Sequence, residues 1–279
     1  MAVRVDRHAD PAVFWRDTQA FLERDEAGNT QVLAIASRHA VEPGDTPPAG
    51  FTVSGAGELL AAALLTAKGT LFLTPAGLDT LRTLNHAIAE GGQVVTDIVA
   101  EKSTAETYAQ LAGAPFCTHV GLRLYRLEAV SPAPAVPGAM RQAGEADFDL
   151  LCAWQRAFFE DANVRESVDD IPQLVNRRLR TGGAWFWEVD GAPVVHAGYR
   201  QTPIRSARIA PAYTPPEHRG RGYATTLVGD LSRHLLAQGR FPLYLFADTE
   251  NPTANGVYRR VGFRPAGEHV HLMRVDAES

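Results

Sequence analysis

Tyr213-Thr214-Pro215-Pro216-Glu217-His218-Arg219-Gly220-Arg221-Gly222-Tyr223-Ala224 is the most informative stretch of this sequence. An apolar run over 206–214 reads as a strand, and Pro215-Pro216 ends it, because proline has no N–H to give a ladder. Residues 222–238 then carry Ala224, Leu227, Val228, Leu231 and Leu235 at helical spacing, and Gly239 stops the pattern. A glycine-bearing loop thus opens a helix. The first amides of a helix have no internal partner and sit at the positive end of the dipole, which makes an anion site. Gly220 and Gly222 let backbone approach a ligand, and Arg219 and Arg221 add charge.

Downstream, residues 242–247 read as a short buried strand. Asn251-Pro252-Thr253-Ala254-Asn255-Gly256-Val257-Tyr258 follows and leads into a helix over 253–261, stopped at Gly262. Residues from 263 onward and 268–275 read as two closing strands. Upstream, Asp190-Gly191 between apolar runs at 184–188 and 193–199 is a hairpin signal. Residues 145–160 place Phe148, Leu151, Cys152, Phe158 and Phe159 near helical spacing. A second helix is expected after Ser167, with Asp170 completing a capping box.

Arg219-x-x-Gly222-x-Ala224 after a strand, Asn251-x-x-Ala254-x-x-Val257-Tyr258 after the next, and the pair Gly262-Phe263 resemble the GNAT (GCN5-related N-acetyltransferase) superfamily. The resemblance covers about residues 139–275. It implies an acetyl-CoA pyrophosphate on Arg219, Gly220, Arg221, Gly222, Tyr223, Ala224 and Thr225, and a pantetheine arm along the strand ending at Tyr213-Thr214. It implies direct attack of an amine on the thioester, with Tyr258 as general acid for the departing thiolate and Asn251 orienting the cofactor or bracing the cleft. Family members often carry the general base as a glutamate on the strand before the loop. Here that strand, Arg208-Ile209-Ala210-Pro211-Ala212-Tyr213, has no carboxylate; Glu217 and His196 are the nearby candidates, and a water chain or an amine that is already neutral would also suffice. Glu217 has a sufficient structural reading as an acidic residue near a helix start.

The first half of the chain repeats much of this order. A helix is expected over 11–24, strands over 31–38, 59–66 and 71–74, and a helix over 77–90 with Leu78, Leu81, Leu84 and Ile88 on one face. A strand over 93–100, a helix over 104–111 and a strand over 118–127 follow. The reading is a diverged duplication and an α/β (α+β) fold of tandem GNAT-like domains, each a mixed, mostly antiparallel twisted sheet flanked by helices. Residues 131–138 hold three prolines and no charge, a stiff exposed spacer between domains at 1–130 and 139–279. The matching loop of the first half, Thr74-Pro75-Ala76-Gly77-Leu78, has one glycine and no arginine. Tyr108 lacks the preceding Asn-x-x-Ala, so this half is not expected to bind CoA in the usual way.

Composition bounds the alternatives. With 279 residues the chain is long enough for two domains. Lys plus Arg number 27 and Asp plus Glu 32, a net charge of −5 that speaks against a nucleic-acid partner. No apolar run approaches the roughly 18 residues of a membrane span, and the start has no secretory pattern, so a cytoplasmic protein is expected. Two distant cysteines, Cys117 and Cys152, read as packing residues. His269 and His271 alternate without a third ligand, so no metal is expected. Arg259 and Arg260 could reach the 3′-phosphate of CoA or simply face solvent. Glu160, Asp161, Glu166, Asp169 and Asp170 face one Arg165, and they could attract a cationic amine or form a solvated, helix-capping face. The expected partner is a small-molecule or peptide amine, with a homodimer open. Two other readings compete. Gly220-x-Gly222-x-x-Thr225 with Asp248 partly satisfies a dinucleotide fingerprint, and a GNAT-like domain without a base could be a non-catalytic acyl-CoA sensor or scaffold.

Overall fold

The computed structural model describes residues 3–42, 44, 46–132, 135–162, 170–201 and 205–275. Two compact units divide the chain: unit 1 is Met1–Leu124 with Ala266–Ser279, and unit 2 is Tyr125–Pro265.

Unit 1 runs β1 (Val3–His8), α1 (Pro11–Arg24), α2 (Thr30–Val41), β2 (Ala49–Gly55), β3 (Glu58–Leu65), β4 (Thr70–Leu73), α3 (Leu78–Glu90), β5 (Asp97–Glu101), α4 (Lys102–Leu111) and most of β6 (Phe116–Leu127). Strands β1 to β4 pair antiparallel in order, and β5 joins β4 in parallel. Its core gathers Phe51, Val53, Leu71, Leu81, Leu84, Ile88, Ile98 and Tyr108.

Unit 2 holds β7 (Ala139–Gln142), α5 (Phe148–Asp161), α6 (Ile171–Arg180), β8 (Ala184–Val189), β9 (Ala192–Gln201), β10 (Ala207–Tyr213), α7 (Tyr223–Ala237), β11 (Leu243–Asp248) and α8 (Pro252–Val261). Strands β7 to β10 pair antiparallel, and β11 joins β10 in parallel. Each unit thus runs through strand, two helices, three strands, helix, strand and helix, which is the expected tandem α/β arrangement. The sheet of unit 2 has two covered faces. Along β8 the alternation sorts them: Trp187 faces α7 and α8, whereas Ala184 and Phe186 face α5 and α6. Leu227, Val228, Leu231 and Leu235 of α7 are fully buried, and each stabilises the unit by about 2 kcal/mol.

Several expectations are corrected. Residues 31–38 are helix, not strand: Val32, Leu33 and Ala36 are buried at helical spacing, and a short apolar run does not separate the two periods. Leu78 is 50% exposed and leaves the face shared by Leu81, Leu84 and Ile88. Strands β1, β2 and β7 went unread. The segment from 263 onward is one strand, β12 (Arg264–Arg274), not two. Most of β12 belongs to unit 1, where it pairs antiparallel with β5 from His269↔Glu101 to Met273↔Asp97. The chain therefore does not divide at 139–279.

The proline-rich 131–138 segment is not a free spacer either. Its described residues lie in unit 2: Ser131 N–H donates to Val261 O at 2.8 Å, Trp187 Nε1 donates to Pro137 O at 2.8 Å, and Val136 packs on the core. Cys117 is exposed rather than packed, while Cys152 is half-buried and its thiol is pushed up by burial. Among the described residues no helix is long and apolar enough to cross a membrane.

Candidate active site

The site forms where β10 leaves β11. Parallel pairing joins Ala207 to Leu243 and Arg208 to Tyr244. Beyond them, among the described residues, the two strands run on to Tyr213 and Asp248 without further pairs, so a cleft opens at their carboxyl ends. A bulge between Ile209 and Ala212 interrupts the ladder with β9. Ile209 faces the core under α7, but Tyr213, four residues on, reaches the other face and meets Trp154 of α5 at 6.0 Å between rings. A bulge re-aims a strand in this way. Here it shifts the register, and Ala212 and Tyr213 pair again with Ala197 and His196 of β9.

Pro216–His218 forms a 3-10 turn after the strand, and α7 starts at Gly222. Gly220 and Gly222 sit at φ +77° and +85°, left-handed values that cost a side-chain-bearing residue about 1–2 kcal/mol. Gly222 has no side-chain cap, so the opening amides of α7, from Tyr223 to Thr225, are left for a ligand. A Cβ at Gly220 would meet nothing within 4 Å, so the loop is open on that side. Arg221 is exposed. These features fit a phosphate-bearing ligand.

The other residues expected here divide by role. Arg219 Nε donates to Thr214 O at 2.9 Å, and its Nη2 reaches Asp161 Oδ2 at 2.5 Å. The arginine therefore braces the loop and ties it to the end of α5. Asp161, expected to attract an amine, is engaged by that pair. Asp170 is the N-cap residue of α6, without a side-chain cap bond, and Arg165, Glu166, Ser167 and Asp169 lie outside the described residues. Tyr223 and Thr225 bury their side chains, so they present backbone alone. Burial and the Asp161 carboxylate push the Tyr213 phenol up. Glu217 stands exposed on the 3-10 turn.

Asn251 is spent on structure: its Oδ1 accepts from Ala254 N–H at 2.9 Å and caps α8. Asn255, which sequence reasoning passed over, does more. Its Nδ2 donates to Asp248 O at 2.7 Å and Asn251 O at 2.6 Å, and its Oδ1 accepts from Tyr125 Oη at 2.6 Å. Tyr125 is fully buried and comes from the end of β6. Nothing near it in sequence points to α8. Tyr258 is partly buried, with its ring 6.2 Å from Tyr125 and 6.1 Å from Phe263. Burial pushes its phenol up to about 12, so the proton stays on at neutral pH.

His196 is 2% exposed and pairs across the sheet with Tyr213. Burial, aided by the nearby Arg178 guanidinium, pushes its imidazole down to about 3. Its Nδ1 lies 3.1 Å from Trp185 O, a contact that suits the neutral ring with Nδ1 as donor. Such a ring is a weak base. Arg259 and Arg260 are exposed in the last turn of α8. In unit 1, His271 bonds Asp97 at 2.8 Å, and no group of three or more metal-ligating residues occurs among the described residues. The Thr74–Leu78 loop there is tied down by Ala76 N–H donating to Thr104 Oγ1 at 3.4 Å, and Tyr108 is fully buried.

Residues 148–263 match the acetyltransferase (GNAT) family. That segment is a GNAT domain. Over the whole chain the fold is that of solved GNAT proteins. An acetyltransferase from Colwellia psychrerythraea superposes with a TM-score of 0.65 at 13% identity, covering 98% of this chain and 100% of that one. A GCN5-related N-acetyltransferase from Sphaerobacter thermophilus gives 0.68 at 16% identity over 99% and 98%. A tandem GNAT protein from the clavulanic acid biosynthesis pathway gives 0.61 at 14% identity over 100% of both chains. No curated protein matches the sequence. The dinucleotide reading fails on topology: among the described residues of unit 2, β7 to β10 pair antiparallel and β11 joins β10 in parallel, and Asp248 Oδ1 accepts from Glu250 N–H within its own turn.

Proposed function

We propose that unit 2 transfers an acyl group, acetyl by preference, from acetyl-CoA to a primary amine of a small molecule or peptide. The carrying observation is the cleft between β10 and β11, with the open Gly220–Gly222 loop and uncapped α7 at one end. The pyrophosphate would rest on the amides of Tyr223, Ala224 and Thr225, with Arg221 adding charge. Arg219 braces the loop through Thr214 and Asp161. Acetyl-CoA supplies an activated thioester. The end of β10, which among the described residues has no pairs on its β11 side, would line it, so that a backbone N–H could stabilise the developing oxyanion.

Tyr258 is the general acid. Its hydroxyl gives a proton to the thiolate as the carbon–sulfur bond breaks, and the phenolate regains that proton from solvent. Glu217 remains the carboxylate assigned to receive the amine proton, through water, because the buried His196 ring is too weak a base.

The test is thermal unfolding with and without acetyl-CoA, with NAD as control, followed by thiol release with a panel of amines. A ligand at 100 times its Kd adds about 2.7 kcal/mol. Stabilisation by acetyl-CoA alone, followed by amine-dependent thiol release, supports the proposal. No stabilisation at millimolar acetyl-CoA removes it, and stabilisation without thiol release from any amine returns the domain to a sensor or scaffold.

A further inference from the structure

We infer that Tyr125 and Asn255 are positioning residues for Tyr258, and that the acid of this site is held in place from outside the 148–263 segment that matches the family. The inference rests on the reading of Tyr258 as general acid. Asn255 is 4% exposed and Tyr125 fully buried. The Asn255 side chain makes three short hydrogen bonds: to the last carbonyl of β11, to the Asn251 carbonyl that begins α8, and from the Tyr125 hydroxyl. It thereby fixes the first turn of α8 against the strand that walls the cleft. Tyr258 stands three residues further on, and its ring leans on the Tyr125 ring at 6.2 Å and 54°. Tyr125 therefore acts twice, by holding Asn255 through its hydroxyl and by supporting the Tyr258 ring with its face. Proton transfer needs heavy atoms within hydrogen-bond reach, and small displacements cost rate steeply.

Asn251 already caps α8 through Ala254. The helix therefore persists without the Tyr125 hydroxyl, and what that hydroxyl adds is placement. Removing it leaves a buried carbonyl oxygen of Asn255 without its donor, and the asparagine is free to turn.

A double-mutant cycle on the full chain tests this, with thiol release from acetyl-CoA and hydroxylamine as the amine. That nucleophile is already neutral at pH 7, so no group has to deprotonate it before attack, and the proton it sheds afterwards can pass to water. Tyr125→Phe should lower kcat about tenfold and leave KM for acetyl-CoA unchanged. Asn255→Ser, which removes the partner instead, should act the same way. In a Tyr258→Phe background neither change should lower kcat further, because no acid remains to be placed. If Tyr258→Phe lowers kcat but Tyr125→Phe lowers it equally in both backgrounds, or not at all, positioning is overturned and the acid survives. If Tyr258→Phe leaves kcat unchanged, the acid reading falls. No release by the wild-type chain overturns both.

Discussion

Tyr258 is the proton donor of the proposed reaction, and its substitution has a sharp expected outcome. Tyr258→Phe keeps the packing against Tyr125 and Phe263 and removes only the proton donor. Turnover should fall by about 100-fold or more, with acetyl-CoA affinity intact by calorimetry. Unchanged turnover would remove the acid role. Arg219 is the second such residue. Arg219→Glu breaks the bond to Thr214 O and sets a carboxylate against Asp161, so stabilisation by acetyl-CoA should be lost. Asp161→Asn keeps the loop bond and should leave that stabilisation in place. If both variants lose it equally, the arginine serves the loop only as part of an ion pair. Tyr258 and Arg219 were legible because motif spacing marks them. Asn251 was marked as well, yet its oxygen caps a helix. Spacing identifies a residue but does not say where its lone pairs go.

At the level of strands and helices, the loop between β10 and α7 and the buried strand β9 behave differently under perturbation. Gly222 sits at φ +85°, with Val136 Cγ1 3.4 Å from where a Cβ would lie. Gly222→Ala should cost about 1–2 kcal/mol of stability and weaken acetyl-CoA binding, read from melting curves with and without ligand. On β9, His196 is held neutral, with its pKa well below the ordinary value of about 6.5. A histidine depressed in the folded state stabilises fully above its unfolded pKa. That contribution is lost as pH falls from about 6.5 toward 3, because the unfolded chain takes up the proton first. Melting temperatures should drop across that window, and His196→Gln should flatten the drop. A variant with the same slope would show that other groups carry the acid sensitivity. Helices α1, α3, α4, α5, α7 and α8 were readable from apolar period and end signals, and so were strands β3 to β6 and β8 to β11, whereas β1 and β2 were not. Helix α2 was not, because a five-residue apolar run serves either period. Edge strand β7, Ala139-Met140-Arg141-Gln142, has no apolar alternation to mark it.

For the molecule as a whole, the division into units sets which fragments can stand alone. A fragment of residues 139–279 carries β12 without β5, its partner from Asp97 to Glu101, and lacks Tyr125 and Leu127 of the unit 2 core. It should be poorly soluble and bind hydrophobic dye. A fragment of residues 125–265 follows the compact unit and should melt cooperatively and be stabilised by acetyl-CoA. The reverse result would place β12 with unit 2. The same logic applies to a chain ending at Pro265. It loses Val270 and Leu272 from the unit 1 core, and its loss of stability should appear in hydrogen exchange at β5.

The tandem α/β arrangement, the glycine–arginine loop and the Asn251–Tyr258 element were all visible in the order of residues, because each depends on periods and turns a few residues long. Local chemistry marks a helix start or a left-handed glycine without help from the rest of the chain. Three features were not visible: the last strand's place beside β5, the proline-rich segment folded onto unit 2, and the Tyr125–Asn255 bond. Each joins residues far apart in the chain, where burial, register and the pairing of buried polar atoms choose the partner. Those choices depend on which surfaces meet, and no short stretch of sequence carries that information.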